Sequence, residues 1–134
     1  MPNVVLFQPQ IPPNTGNVAR TCVATGSELH LIEPLGFQID DKQLRRAGLD
    51  YWPFVQLHRH ADHTHFLQQQ RAEGGRLVAL SARVQDPYTS FRFRSSDWLL
   101  FGCESDGLPA ELLALADHCL TIPTVSYTHL TLPT

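Results

Sequence analysis

The sequence predicts an α/β fold, an open and mostly parallel sheet with helices on both faces. Three observations carry this. Short apolar runs alternate with helix-like stretches in βαβα order. Two of the runs, Val4-Val5-Leu6-Phe7 and Trp98-Leu99-Leu100-Phe101, are continuous rather than alternating, as strands buried on both faces are. Glycines at positions 26, 36, 48, 74, 75 and 107 fall where elements end. At 134 residues and 43% hydrophobic, the chain is the size of one compact domain.

The first strand is expected at 3–7, where β-branched residues crowd an apolar run. Pro12 and Pro13 then set a rigid turn, and Asn14 is the expected N-cap of a helix over 14–25. At 100° per residue, Asn14, Asn17 and Arg20 are each about 60° from the previous one on one face, with Val18, Ala19 and Cys22 on the other. Arg20 should therefore be presented to solvent. Further strands are expected at 28–32, 76–80 and 98–101, and further helices near 62–70 and 109–116. In such a sheet, ligands belong at the carboxyl ends of the strands.

Ten Lys plus Arg against thirteen Asp plus Glu give a net charge of -3, which excludes bulk attraction to polyanions. A nucleic acid would need a local patch. The densest cationic cluster is Lys42, Arg45 and Arg46, which also suits an ordinary exposed helix face. No signal peptide or run of eighteen apolar residues is seen, so a cytoplasmic protein with no membrane partner is expected. Cys22, Cys103 and Cys119 share no C-x-x-C spacing and read as reduced core residues.

The second candidate site is the segment 99–109, a strand running through Gly102 into a turn and a helix. Gly102 allows close backbone approach, and Glu104 could either brace the loop or hold a ligand hydroxyl. Neither G-x-G-x-x-G nor G-x-x-x-x-G-K-[ST] occurs, which disfavours ordinary dinucleotide and P-loop chemistry. Ser81 reads as a hydrogen-bonding loop residue, a minor binding candidate. His58, His60, His63 and His65 crowd one segment with Asp62, but their spacing does not match common zinc patterns. They read as solvated histidines opening a helix, and no metal is expected.

Three features in order, Asn14-x-Gly16-Asn17-x-x-Arg20, Phe101-Gly102-x-Glu104-x-x-Gly107-Leu108-Pro109 and Ile122-Pro123, resemble the signature of the SPOUT superfamily of RNA methyltransferases. Residues 32–37 and 40–51, IEPLGF and DDKQLRRAGLDY, narrow the resemblance to its small tRNA ribose 2'-O-methyltransferases. It covers residues 1–123. It implies an α/β-knot fold and methyl transfer from S-adenosyl-L-methionine to the ribose 2'-hydroxyl of the anticodon wobble nucleotide, cytidine or uridine, of leucine tRNAs. It also implies a homodimer. Carried onto this chain, it gives Arg20 and Asn14 as catalytic, and Leu80, Gly102, Glu104 and Ile122 as cofactor-binding. Arg20, Lys42, Arg45 and Arg46 would bind RNA. Arg20, always charged, is a poor general base, so its expected role is to clamp phosphate beside the target ribose.

The sequence departs from that pattern in two places. Cys103, Ser105 and Asp106 replace a Pro-Glu-Thr-Arg-like reading around Glu104, and Thr124 stands where a Met is expected. Residues 124–134 hold no Arg-Ser-Leu-Asn-Leu-Ser-like third motif and no closing helix. They are expected to form an atypical tail, with a foreign origin weighed against an added edge strand, after a methyltransferase domain over 1–123, leaving the knot incomplete. A related enzyme acting on ribosomal RNA or another tRNA position, a non-catalytic RNA-binding remnant, and an unrelated nucleotide-binding module are the competing readings.

Overall fold

The computed structural model describes residues 2–36, 54–81, 92–103 and 105–121. The elements are β1 (Asn3–Phe7), α1 (Pro12–Thr25), β2 (Leu29–Ile32), β3 (Leu57–His60), α2 (His63–Glu73), β4 (Leu77–Leu80), β5 (Trp98–Phe101), α3 (Ala110–Leu115) and β6 (His118–Leu120). Six strands form one sheet in the order β3-β2-β1-β5-β4-β6, and every pairing is parallel. The open parallel sheet expected from the sequence is what forms.

Side chains alternate across the strands and divide the core in two. Val4, Leu6, Leu29 and Leu31 share one face with Val18, Ala19 and Cys22 of α1. Val5, Phe7, Ala79 and Leu100 share the other with Phe66 and Leu67 of α2 and Leu112 of α3. This follows from right-handed crossovers: β1 passes to β2 in one direction along the sheet, while β3 to β4 and β5 to β6 run in the other. Burial pushes the Cys22 thiol up to about 12, so it stays protonated and inert.

Helix boundaries follow local chemistry. Asp62 caps α2, its Oδ1 accepting from the His65 N–H at 2.8 Å. Gly26 ends α1 in the left-handed conformation, at φ 72°. The start of α1 differs from expectation. Ile11 is the N-cap, Pro12 and Pro13 fill the first two helical positions, and Asn14 lies inside the first turn. Prolines fit there because the first N–H groups of a helix have no internal partner to lose.

Two strands were not expected. β3 uses Leu57, His58, Arg59 and His60, so His58 and His60 extend a sheet rather than open a helix. His60 is buried rather than solvated, as is His30 opposite β3 on β2. β6 is only three residues long. Among the described residues, no helix is long and apolar enough to cross a membrane.

Candidate active site at the carboxyl ends of the strands

Chain direction reverses between β1 and β5, since the connection leaving β1 runs toward β2 and the one leaving β5 runs toward β6. A crevice opens above such a point. Both sequence-predicted segments, 10–20 and 99–109, start there.

The β1 end departs from ordinary backbone geometry at once. Gln8 takes φ 46°, a left-handed value uncommon for a residue with a Cβ, and its N–H still donates to the Ile32 carbonyl at 2.9 Å. Local strain held by surrounding bonds is often found at functional turns. Gln10 then ties this turn to the loop after β5, its Oε1 accepting from Ser105 N–H at 3.0 Å and from Ser105 Oγ at 2.8 Å. On the other side, Gly36 N–H donates to the Pro9 carbonyl at 2.9 Å. A Cβ on Gly36 would stand 2.8 Å from Gln10 Cα. The loops after β2, β1 and β5 thus form one connected rim.

Gly102 is glycine first for the chain's own sake. A Cβ there would fall 2.3 Å from the Gly107 carbonyl carbon, because the loop doubles back on itself. Gly107 N–H donates to Cys103 O at 3.0 Å, and Gly107 itself takes φ 69°. Past β5, the ends of β4 and β6 are joined by Ser81 N–H to Leu120 O at 2.9 Å and Thr121 Oγ1 to Ser81 O at 3.3 Å. Ser81 is a buried hydrogen-bonding residue, as expected. Leu80 is a core side chain, so any ligand contact from it must come from its backbone.

Arg20 and Asn17 are exposed on α1, and Asn14 is half-buried. Arg20 is the ninth residue of the helix, about 12 Å along the axis from its start. Lys42, Arg45, Arg46, Glu104 and Ile122 lie outside the described residues, as does 122–134. Sequence reasoning gave no role to Gln10, Ser105, Gly36 or Thr15. The Gln10–Ser105 contact joins residues 95 apart, which no local pattern reveals. Thr15 is buried in the first turn of α1, and its Oγ1 has no partner among the described residues.

Comparison with known proteins agrees with this architecture. The chain is 47% identical over 127 residues to the tRNA (cytidine(34)-2'-O)-methyltransferase of Escherichia coli K12, covering 93% of this chain and 80% of that protein. It superposes with a TM-score of 0.87 and 48% identity on a structure that concerns 2-OH methylation of C/U34 on tRNA, covering 96% of this chain and 84% of the other. It also resembles an AdoMet-bound rRNA methyltransferase from Sinorhizobium meliloti, with a TM-score of 0.84 and 25% identity over 96% of this chain and 49% of that one. The model of the SpoU rRNA Methylase family matches residues 1–129. A parallel sheet with its switch point between β1 and β5, the Asn14 to Arg20 helix start and the Gly102 turn all occur in one continuous match, and the chain belongs to the SpoU methylase family.

Proposed function

We propose that this chain transfers a methyl group from S-adenosyl-L-methionine to the ribose 2'-hydroxyl of nucleotide 34, cytidine or uridine, in leucine tRNAs. The observation that carries the reading is the near-whole-chain likeness to a structure concerned with that reaction. The residues fit the cofactor in kind. Adenine and a carboxylate are read well by backbone N–H and C=O groups, and the β4, β5 and β6 ends bring such groups side by side. The cofactor supplies an electrophilic methyl group on a sulfonium.

What remains for the protein is positioning, because an in-line displacement needs the attacking oxygen about 3 to 3.5 Å from the methyl carbon. In this reading the backbone at Leu80, Gly102 and Ile122, with Glu104, holds the cofactor, and Lys42, Arg45 and Arg46 hold the RNA. Arg20 clamps a phosphate and favours the developing 2'-alkoxide electrostatically, while Asn14 steadies the helix start. The proton leaves to a phosphate oxygen or water. In this reading the working unit is a cytoplasmic homodimer, as the resemblance to the family implies.

Calorimetry with S-adenosyl-L-methionine and methyl transfer to unmodified leucine tRNA test this together. Wild-type chain should bind the cofactor and methylate nucleotide 34. Arg20→Ala should keep cofactor affinity and lose transfer by about 100-fold or more. Undiminished transfer in the variant removes the role given to Arg20, and methylation at another nucleotide removes the substrate assignment.

A further inference from the structure

The histidines of β2 and β3 form a cluster apart from the strand-end site. His30 and His58 are cross-strand partners, and Glu28, two residues before His30, shares their face. His58 Nε2 lies 2.6 Å from Glu28 Oε1. His30 Nδ1 lies 2.9 Å from His60 Nε2, and His60 Nδ1 lies 3.2 Å from His65 Nδ1. The His30 ring stacks on His58 at 4.5 Å between centroids and is 1% exposed. One nitrogen of this buried ring, Nε2, has no hydrogen-bond partner among the described residues.

We propose that Glu28, His30 and His58 bind a divalent cation of the zinc class, clipping edge strand β3 to β2. One donor atom from each of the three lies within 4.8 Å of the others. Zinc bonds of about 2.0 to 2.2 Å require donors about 3.3 Å apart, so the gap to close is small. His58 and Glu28 are 39% and 41% exposed, free enough to tilt toward a cation, while His30 is fixed by its packing. Two His and one Glu is an established zinc donor set, with the fourth position open to water on the exposed side.

The hydrogen-bond chain prepares His30 for this role. If His30 Nδ1–H donates to His60 Nε2, His60 carries its proton on Nδ1 and donates to His65. His30 Nε2 is then left as a bare lone pair. A second ring nitrogen held by an outer partner is how ligand histidines are usually oriented. Sequence spacing within 58–65 hid this arrangement, because two of the three donors come from the β2 side, 28 and 30 residues before His58.

The test uses the untagged full chain, stripped with chelator and titrated with Zn(II) by calorimetry, with thermal melts alongside. One Zn(II) per chain should bind and raise the melting temperature. Glu28→Gln and His58→Asn, both at partly exposed positions, should each weaken binding at least about tenfold while far-UV circular dichroism stays unchanged. His63→Asn and Cys119→Ser should bind as wild type does. Absence of stoichiometric binding overturns the site. So does affinity that survives both Glu28→Gln and His58→Asn, or that is lost instead in the His63 or Cys119 variants.

Discussion

Thr15 and Asp97 illustrate opposite ways of burying a polar group. The Thr15 hydroxyl is buried without a partner among the described residues, so it carries a desolvation cost with no hydrogen bond to offset it. Thr15→Val should therefore stabilise the fold by about 1 kcal/mol, seen as a rise of a few degrees in melting temperature. A fall would mean that the hydroxyl has a partner in the folded chain. Asp97, 0% exposed, is fully satisfied: Arg76 meets it at 2.7 and 2.8 Å, and the Arg94 N–H donates to it at 2.7 Å. Burial alone would raise its pKa, but the Arg76 and Arg94 bonds outweigh burial and hold it below the usual carboxylate range. Its contribution is thus present above about pH 4 and is lost as pH falls through the lowered value. Asp97→Asn should lower the urea midpoint, because it replaces charge-assisted hydrogen bonds to Arg76 with weaker neutral ones. An unchanged urea midpoint would show that the pair contributes nothing net.

β3 shows why part of the fold was not legible in the sequence. Its four residues include two histidines and one arginine, so neither an apolar run nor clean alternation marks it. Much of the polarity is absorbed only after folding, when His30 stacks on His58 and on His60 and meets Trp98 at a tilt, while His60 meets Phe66 edge-on. By contrast β1 and β5, apolar on both faces, were read with the bounds they have. The same cluster should make stability acid-sensitive. Burial first, then the neighbouring His58 and His60, depresses His30 to about 3, and burial with His65 and His58 also lowers His60 against a smaller raising effect of Glu73. A depressed histidine favours the fold fully above its ordinary pKa of 6.5 and loses that advantage as pH drops toward the folded value. For His30 alone this is on the order of 2 kcal/mol between pH 6.5 and pH 5. Denaturant melts across that range should show the decline, and His30→Phe, which keeps a stacked ring, should reduce it while leaving the part due to His60. A decline that persists unchanged in the variant would place the titrating group elsewhere.

At the scale of the whole molecule, the sheet order puts the two motif-bearing loops on adjacent strands, so a site could be anticipated from βαβα order and the strand-end rule. The loop contacts that join them could not, because they link distant residues. The reading of residues 124–134 belongs at this scale too. Their sequence, TVSYTHLTLPT, carries no Arg and no Ser-Leu-Asn-Leu run. Ile122, the expected cofactor contact after β6, is separated from them only by Pro123. If a third motif is what closes the chain over the cofactor, replacing 124–134 with an Arg-Ser-Leu-Asn-Leu-Ser-containing segment and a closing helix should tighten S-adenosyl-L-methionine binding at least about tenfold, a gain of about 1.4 kcal/mol. Calorimetry on the two chains measures it, and sedimentation on the same samples reads whether the proposed homodimer forms. Equal affinity would mean that the β4, β5 and β6 ends hold the cofactor without that motif, and the division of the chain at residue 123 would lose its functional meaning.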